Sequence, residues 1–326
     1  MGKRVKRKWR KARVVGFSLI LILLLAGAFF FGLKKLLNTH FIGHQVVSII
    51  SGKSGSRTED RSARDRKRSE KKPSSSSKTL AYGANQSSGP LSVPKSIHVL
   101  MYHSINDKTS FVNSIERSLT IPTKVFADQV DWLKAHGYHV ISLSDAYAGM
   151  VLGKPLPSNP VVLSFDDGIP DAYTNVYPIL KQRGLSGTFF VITARVSNGP
   201  WLTWPQIIEM AKAGMQIESH TMDHVDLTTT SPEETAYELK QSKLKIEAEL
   251  HRPVDFIAYP AGRANQAVAE ATKQAGYLAA FTTRPGPWRP GDDPFTLKRV
   301  RVSRGETMAT FAAELGYTPT ATTSTH

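Results

Sequence analysis

Two adjacent carboxylates directly follow an apolar run that is typical of a buried strand. The run covers residues 161–165, and Asp166, Asp167 and Gly168 come next. Neighbouring carboxylates repel each other, and a nearby cation relieves that cost. One acid of the pair can therefore bind a metal while the other accepts a proton. Taken alone, Asp-Asp-Gly is also common turn composition, so this segment needs support from elsewhere in the chain.

Two histidines follow a second predicted strand, at residues 216–219. His220 and His224 can face one metal if the segment between them coils into a turn. Together with Asp167 they supply two imidazoles and one carboxylate, which leaves coordination positions open for water and substrate. This set predicts a catalytic site with one divalent metal. Zn suits these ligands, with Co, Ni, Mn or Fe as alternatives, and two unrelated surface histidines are the competing interpretation.

A third strand pattern, at residues 256–259, runs into a Pro-Gly turn. Such a turn can present backbone N–H groups to an oxyanion. Tyr259, Pro260 and Ala261 are therefore the candidate oxyanion and substrate-binding residues. This pattern is weak evidence without the other two.

These segments belong to a region in which β-rich runs alternate with amphipathic helical patterns. The predicted strands are residues 98–102, 139–143, 161–165, 187–192, 216–219, 256–259 and 278–282, and the predicted helices are residues 125–135, 172–182, 204–213, 232–250 and 266–275. Gly137, Gly184 and Gly276 stand where helix C-termini would place a glycine. The alternation predicts an α/β domain with parallel strands, open or closed into a barrel. Its strand carboxyl ends would collect the candidate residues on one face.

The formal net charge of +15 is concentrated ahead of this region. Residues 1–94 hold 20 basic and 4 acidic residues, which leaves a charge of −1 for residues 95–326. A protein that binds phosphate backbones needs its lysines and arginines on the folded module, so we predict no nucleic-acid partner. The chain has no cysteine, which excludes a disulfide framework and any thiolate site.

The N-terminal residues are typical of a membrane anchor. Eight basic residues lie within residues 1–13, and residues 14–33 carry no charge over a length that matches a bilayer core. The positive-inside rule predicts a cytoplasmic tail at 1–13, a single transmembrane anchor at 14–35 and an extracellular remainder at the cell membrane. A cleaved signal peptide is the alternative, because Ala26, Gly27 and Ala28 form a small-residue pattern, and the protein would then be secreted. Residues 36–95 are predicted to be a flexible Ser/Lys/Arg-rich linker, residues 96–318 the catalytic domain and residues 319–326 a disordered tail.

The three chemical segments, in this order and at these separations, resemble the NodB-homology polysaccharide deacetylases, carbohydrate esterase family 4. The first family motif, T/S-F-D-D-G, is SFDDG at residues 164–168, and the second, H-S/T-x-x-H, is HTMDH at residues 220–224. The resemblance covers about residues 97–315. It implies a distorted (β/α) barrel of about seven parallel strands. It also implies Asp166 as the catalytic base, and it assigns metal binding to Asp167, His220 and His224.

Two departures from the family pattern concern the third motif and the general acid. Many members carry R-P-P-Y-G and a late L-x-x-H whose histidine is the acid, whereas this chain has AYPAG at residues 258–262 and no histidine between His251 and His326. The segment HVLMYH at residues 98–103 resembles that of the poly-N-acetylglucosamine deacetylase branch, in which an early histidine supplies the acid. The resemblance therefore implies His103 as the general acid, against a core or capping role.

The resemblance implies metal-dependent hydrolysis of acetamido groups on N-acetylglucosamine residues of an extracellular or cell-wall polysaccharide. A peptidoglycan N-acetylglucosamine deacetylase and an inactive glycan-binding module are the alternatives. A two-metal phosphoesterase would need a second set of ligands, and a serine hydrolase would need a Gly-x-Ser-x-Gly elbow, which the chain lacks. Four aromatic side chains are candidates for stacking on sugar rings: Trp201, Trp204, Tyr259 and Trp288.

Overall fold

The computed structural model describes residues 91–318, which form strands and helices in alternation. The strands are β1 (His98–Tyr102), β2 (Ser104–Ile105), β3 (Thr120–Ile121), β4 (His139–Val140), β5 (Pro160–Phe165), β6 (Thr188–Val191), β7 (Gln216–Ser219), β8 (Phe256–Ala258), β9 (Ala279–Pro285) and β10 (Leu297–Arg301). The helices are α1 (Ser114–Leu119), α2 (Thr123–Ala135), α3 (Leu143–Met150), α4 (Tyr177–Gln182), α5 (Trp204–Lys212), α6 (Pro232–Leu250), α7 (Gln266–Gln274) and α8 (Met308–Glu314).

Seven of the strands close into a parallel barrel. The sheet runs in the order β1, β10, β9, β8, β7, β6, β5, and β5 pairs back onto β1 with Leu100 opposite Leu163. The short strand β4 pairs with the start of β5, and β2 and β3 form a separate two-stranded sheet. The predicted barrel of about seven parallel strands is confirmed.

Alternate residues of the strands pack into two different hydrophobic cores, because successive side chains point to opposite faces of the sheet. Val99, Val162 and Phe190 belong to one cluster, together with Phe281 and Trp288. Their strand neighbours belong to a second cluster, which also contains helix residues such as Phe126, Val130, Ile207 and Leu239. All six residues of β5 are buried. This is the continuous apolar pattern expected of parallel strands that are covered on both sides.

Local signals explain where most helices begin and end. The side chains of Ser142, Ser231 and Asn265 accept N–H groups at the starts of α3, α6 and α7, as N-capping residues do. Gly137, Gly184 and Gly276 have φ angles of 73°, 65° and 85°, so they occupy the left-handed conformation predicted for them after helices.

Two predicted elements differ from the structure, and one barrel strand was not predicted. The strand predicted at residues 139–143 ends at Val140, because Ser142 caps a helix that starts at Leu143. The helix predicted at residues 172–182 begins as a π turn, Ala172–Val176, before α4. Strand β10 was not predicted, because three of its five residues are basic and the segment therefore resembles a charged surface loop.

The predicted cytoplasmic tail, membrane anchor and disordered C-terminal tail lie outside the described residues, as does most of the predicted linker. Within residues 91–318, every helix is too short or too polar to cross a bilayer. At the start of that range, Ser92 already pairs with Leu156.

Candidate functional site

The carboxyl ends of the barrel strands bring the predicted site residues together. His103 follows β1, Asp166 and Asp167 follow β5, and His220 follows β7. The peptide N–H of Asp166 donates to the carbonyl oxygen of Tyr102 at 3.0 Å, which places the ends of β1 and β5 side by side. The expected clustering on one face of a parallel barrel is therefore observed.

Asp167, His220 and His224 form a compact set of potential metal ligands. One ligand atom from each residue lies within 4.8 Å of the other two. The Nε2 atoms of His220 and His224 are 3.4 and 3.7 Å from Asp167 Oδ1. His220 is oriented by its other ring nitrogen, because Nδ1 lies 2.6 Å from the carbonyl oxygen of Ala258 and can donate to it. The turn predicted between the two histidines is confirmed.

The backbone at this set adopts conformations that non-glycine residues rarely take. Asp167, Thr221 and His224 have φ angles of 76°, 65° and 63°. Such conformations persist only where surrounding contacts enforce them, and they concentrate at functional sites. Here Thr221 Oγ1 accepts the peptide N–H of His224 at 3.1 Å, which closes the turn.

The electrostatics of the three residues fit a cation. Burial, and then the neighbouring His220, lower the pKa of His224 to about 4, so this imidazole is neutral at pH 7. Burial opposes charge on His220 and on Asp167, but their mutual attraction prevails. The pKa of His220 is raised and that of Asp167 is lowered. Both shifts favour a proton shared by this pair, and a divalent metal bound to the same atoms would take the place of that proton.

The second carboxylate of the pair, Asp166, is bound by a buried arginine. Arg299 Nη1 and Nη2 donate to Asp166 Oδ1 and Oδ2, both at 2.7 Å, and Arg299 is 0% exposed. Burial of Asp166 opposes its ionisation, but the Arg299 charge more than compensates and holds the pKa of Asp166 well below its usual range. Asp166 is therefore an ionised acceptor that is not a member of the metal-ligand set.

Sequence reasoning missed Arg299, and the missing strand explains why. Arg299 lies on β10, between the half-buried Lys298 and the exposed Arg301. Because its neighbours are basic surface residues, the sequence does not indicate that Arg299 faces inward. Its guanidinium lies 5.6 Å from the centre of the Phe190 ring, and Nε donates to the carbonyl oxygen of Thr282 at 3.1 Å. The signal that could have found it is the set of apolar residues Leu297, Val300 and Val302 among the basic ones, together with the need for a strand to close the barrel.

His103 lies next to Asp166. Its Nε2 is 3.9 Å from Asp166 Oδ2, which is too long for a hydrogen bond. The other ring nitrogen, Nδ1, is buried and has no hydrogen-bond partner among the described residues. Burial lowers the pKa of His103, although the charges of Asp166 and Asp167 act in the opposite direction. The predicted acid and the predicted base are therefore neighbours in space.

A second buried acid holds the segment after His103, and the sequence analysis did not identify it. Asp171 Oδ2 accepts hydrogen bonds from Ser104 Oγ at 2.6 Å and from Asn106 Nδ2 at 2.8 Å. Asp171 follows β5, whereas Ser104 and Asn106 follow β1. The contact therefore joins the chain segments that carry His103 and Asp166.

The predicted turn after β8 can offer a ligand its backbone groups but not the side chains of Tyr259 and Pro260. Tyr259 is fully buried, and its hydroxyl lies 3.1 Å from Thr272 Oγ1 and from the carbonyl oxygen of Phe295. Pro260 is also buried, whereas Ala261 is exposed with φ at 52°. The turn is closed by N–H donors of Gly262 and Arg263, so it does not need the Ala261 N–H. Glycine is required at position 262, where a Cβ would lie 2.3 Å from the Thr283 nitrogen.

Burial excludes two of the four aromatic residues predicted to stack on sugars. Tyr259 and Trp288 are 0% and 2% exposed, so their rings cannot contact a glycan. Trp201 and Trp204 are half-buried, and their rings lie against Arg195 and Lys245, respectively.

Replacing Arg299 with methionine tests the charge balance at Asp166. Without the guanidinium, burial raises the pKa of Asp166, so the folded protein binds a proton more tightly than the unfolded chain does. We expect metal-free Arg299→Met to lose about 3–5 kcal/mol of unfolding free energy at pH 7. The deficit should shrink at pH 5, where protonation removes the unpaired charge.

Chemical denaturation at both pH values measures this effect, and Arg301→Met, exposed on the same strand, serves as the control. The control should change stability by less than about 0.5 kcal/mol. A deficit that is equal at the two pH values, or larger at pH 5, would contradict the assignment.

Comparisons with known proteins point to one family. The sequence pattern of the polysaccharide deacetylase family matches residues 153–280. The chain is 34% identical over 220 residues to YxkH of Bacillus subtilis (strain 168), whose name assigns it to the polysaccharide deacetylases. The match covers 68% of this chain and 76% of YxkH. It is 26% identical to a poly-β-1,6-N-acetyl-D-glucosamine N-deacetylase of Staphylococcus aureus (strain MRSA252), across 63% of this chain and 78% of that protein.

Two solved structures share the fold. The deacetylase PplD of Streptococcus pyogenes, solved with acetate, superimposes with a TM-score of 0.64 and 29% identity, across 68% of this chain and 99% of PplD. IcaB from Ammonifex degensii gives a TM-score of 0.62 and 26% identity, across 69% of this chain and 98% of IcaB. With the barrel, the site and these similarities together, the chain belongs to the polysaccharide deacetylase family, hydrolases that act on the amide bonds of acetylated sugars.

Proposed function

We propose that this protein is a metal-dependent N-deacetylase that removes acetyl groups from N-acetylglucosamine residues of a poly-N-acetylglucosamine-like polysaccharide. The observation that carries the proposal is that two carboxylates adjacent in the chain have different partners. Asp167 lies with two imidazoles, whereas Arg299 binds Asp166 at both oxygens. One face of the barrel thus offers a metal site and an independent ionised base.

Asp167, His220 and His224 would hold the metal, and the donor set suits Zn. When bound, the metal supplies Lewis-acid polarisation of the acetyl carbonyl and activation of water. Asp166 accepts the proton of the attacking water, because its carboxylate is ionised and the Arg299 pair fixes its position.

The remaining steps need an oxyanion donor and an acid. The turn of Tyr259, Pro260 and Ala261 follows directly after Ala258, whose carbonyl oxygen orients His220. Ala261 is exposed and its N–H is not used to close the turn, so this N–H is suited to donate to the oxyanion that develops on the acetyl group. His103 protonates the departing sugar nitrogen, since an amine leaves poorly as an anion. Its place beside Asp166 supports this role.

The proposed glycan rests on the relatives. The S. aureus protein is named as a poly-β-1,6-N-acetyl-D-glucosamine N-deacetylase. The Tyr102-His103 segment implied this branch, and the position of His103 next to Asp166 supports it. We also propose an extracellular location and a membrane anchor, which rest on the basic and apolar N-terminal sequence.

Acetate release from a panel of glycans tests the function. Poly-β-1,6-N-acetylglucosamine should release acetate faster than N-acetylated peptidoglycan does. A chelator should abolish release, and added Zn should restore it, while His220→Ala should show no activity under any of these conditions. Preference for peptidoglycan would overturn the proposed substrate. Binding of the glycans without acetate release would instead identify an inactive binding module.

Substitution of His103 tests the acid. His103→Ala should keep its metal but lose about 10²- to 10⁴-fold in turnover, the usual worth of general acid catalysis. Burial lowers the pKa of His103, so the alkaline limb of the wild-type kcat/KM profile should lie at or below about pH 6.5 and be missing from the variant. His251→Asn, at the exposed end of α6, is the control. Near-normal turnover of His103→Ala would return this histidine to a structural role.

A further inference from the structure

A buried glutamate on helix α6 contacts the turn that carries the two histidine ligands. Glu238 is 2% exposed, although Glu234 and Lys240, within one turn of it on the same helix, are exposed. A carboxylate is rarely buried without several hydrogen bonds to satisfy it. Its partners therefore indicate why the chain places an acid at this position.

The Glu238 carboxylate accepts two successive peptide N–H groups of the turn. Met222 N and Asp223 N both donate to Oε2, each at 2.9 Å. These residues lie between His220 and His224 in the chain. The contact thus holds the middle of the turn from outside, through a helix that begins after the turn has ended.

Thr221 ties the second histidine to the start of the turn. Its Oγ1 accepts the peptide N–H of His224 at 3.1 Å. The two residues whose N–H groups Glu238 accepts, Met222 and Asp223, lie between Thr221 and His224, which both have positive φ. Glu238 therefore holds the part of the turn that lies between two unfavourable backbone conformations.

Positive φ at a threonine and a histidine costs free energy, so the turn requires external contacts to persist. At the start of the turn, Thr193 N–H donates to Thr221 O at 3.2 Å and Ala194 N–H donates to Met222 O at 2.9 Å. Those bonds engage the carbonyl groups of the turn. Glu238 engages two of its N–H groups, those of Met222 and Asp223.

We propose that Glu238 is a positioning residue for the metal site, which fixes the 221–224 turn so that the His220 and His224 nitrogens converge on Asp167 before the metal arrives. The inference rests on the proposed function only in that Asp167, His220 and His224 bind a metal. Glu238 itself touches neither metal nor substrate. Its contribution is to lower the conformational cost of metal binding.

Metal affinity in a set of Glu238 variants tests the proposal. Zn²⁺ dissociation constants would be measured on the full chain by competition with a chromophoric chelator. Glu238→Ala should bind Zn²⁺ about 10- to 100-fold more weakly, the usual effect of removing a group that supports metal ligands. Glu238→Gln keeps an oxygen acceptor of the same reach and should stay within about threefold of wild type. Glu234→Ala, an exposed acid one turn earlier on α6, is the matched control and should bind as wild type does.

Thermal unfolding of each variant in excess chelator distinguishes a role in positioning the metal ligands from a purely structural role. Glu238→Ala should remain folded at the assay temperature while its affinity for Zn²⁺ falls. If this variant does not fold, Glu238→Asp replaces it, because the shorter side chain keeps the charge but moves the acceptor oxygens away from the turn. Glu238→Asp should bind Zn²⁺ at least about tenfold more weakly than wild type.

Wild-type affinity in a folded Glu238→Ala or Glu238→Asp variant would overturn the role of Glu238 and leave the proposed function intact. Absence of Zn²⁺ binding by the wild-type chain would instead defeat the metal site itself. The two failures are therefore distinguishable by the wild-type measurement alone.

Discussion

Arg299 and Asp166 form a charge pair inside the barrel, and both the closure of the barrel and the chemistry of the site depend on it. The pair joins β10 to the end of β5, and the same guanidinium binds the Thr282 carbonyl oxygen of β9. Burying two charges is costly, and only good geometry with further hydrogen bonds offsets that cost. Here both carboxylate oxygens are engaged. Asp166 consequently stays ionised in a place where burial alone would protonate it.

The other two parts of the site are held in a similar way, by a buried acid from a different segment. Asp171 accepts hydrogen bonds from Ser104 and Asn106, which follow His103 in the chain. Glu238 accepts two N–H groups of the turn between His220 and His224. The Ala258 carbonyl oxygen orients His220. Asp166 and His220 are thus oriented directly by groups that do not react, whereas Asp171 and Glu238 hold the chain segments next to His103 and His224. This arrangement is expected where donors and acceptors must be in place before the charge develops.

Sequence reasoning found the residues that are adjacent in the chain and missed those that are adjacent only in space. Asp166 and Asp167 end an apolar strand, and His220 and His224 follow another at turn spacing, so local patterns placed all four at strand ends. Arg299 was missed because β10 resembles a charged surface segment unless the barrel has already been closed. Glu238 lies within a helix of low amphipathicity, where one buried acid among exposed acids gives no periodic signal. Tyr259 was assigned to substrate, but aromatic identity alone cannot separate a core ring from an exposed one.

We propose different roles for the two neighbouring carboxylates, Asp167 as a metal ligand and Asp166 as a base. These roles are separated by measuring bound Zn per chain and acetate release together for Asp166→Asn and Asp167→Asn. We expect Asp166→Asn to keep one Zn and to lose turnover by more than about 10²-fold, whereas Asp167→Asn should lose the metal. Loss of Zn from Asp166→Asn with retention by Asp167→Asn would contradict these roles.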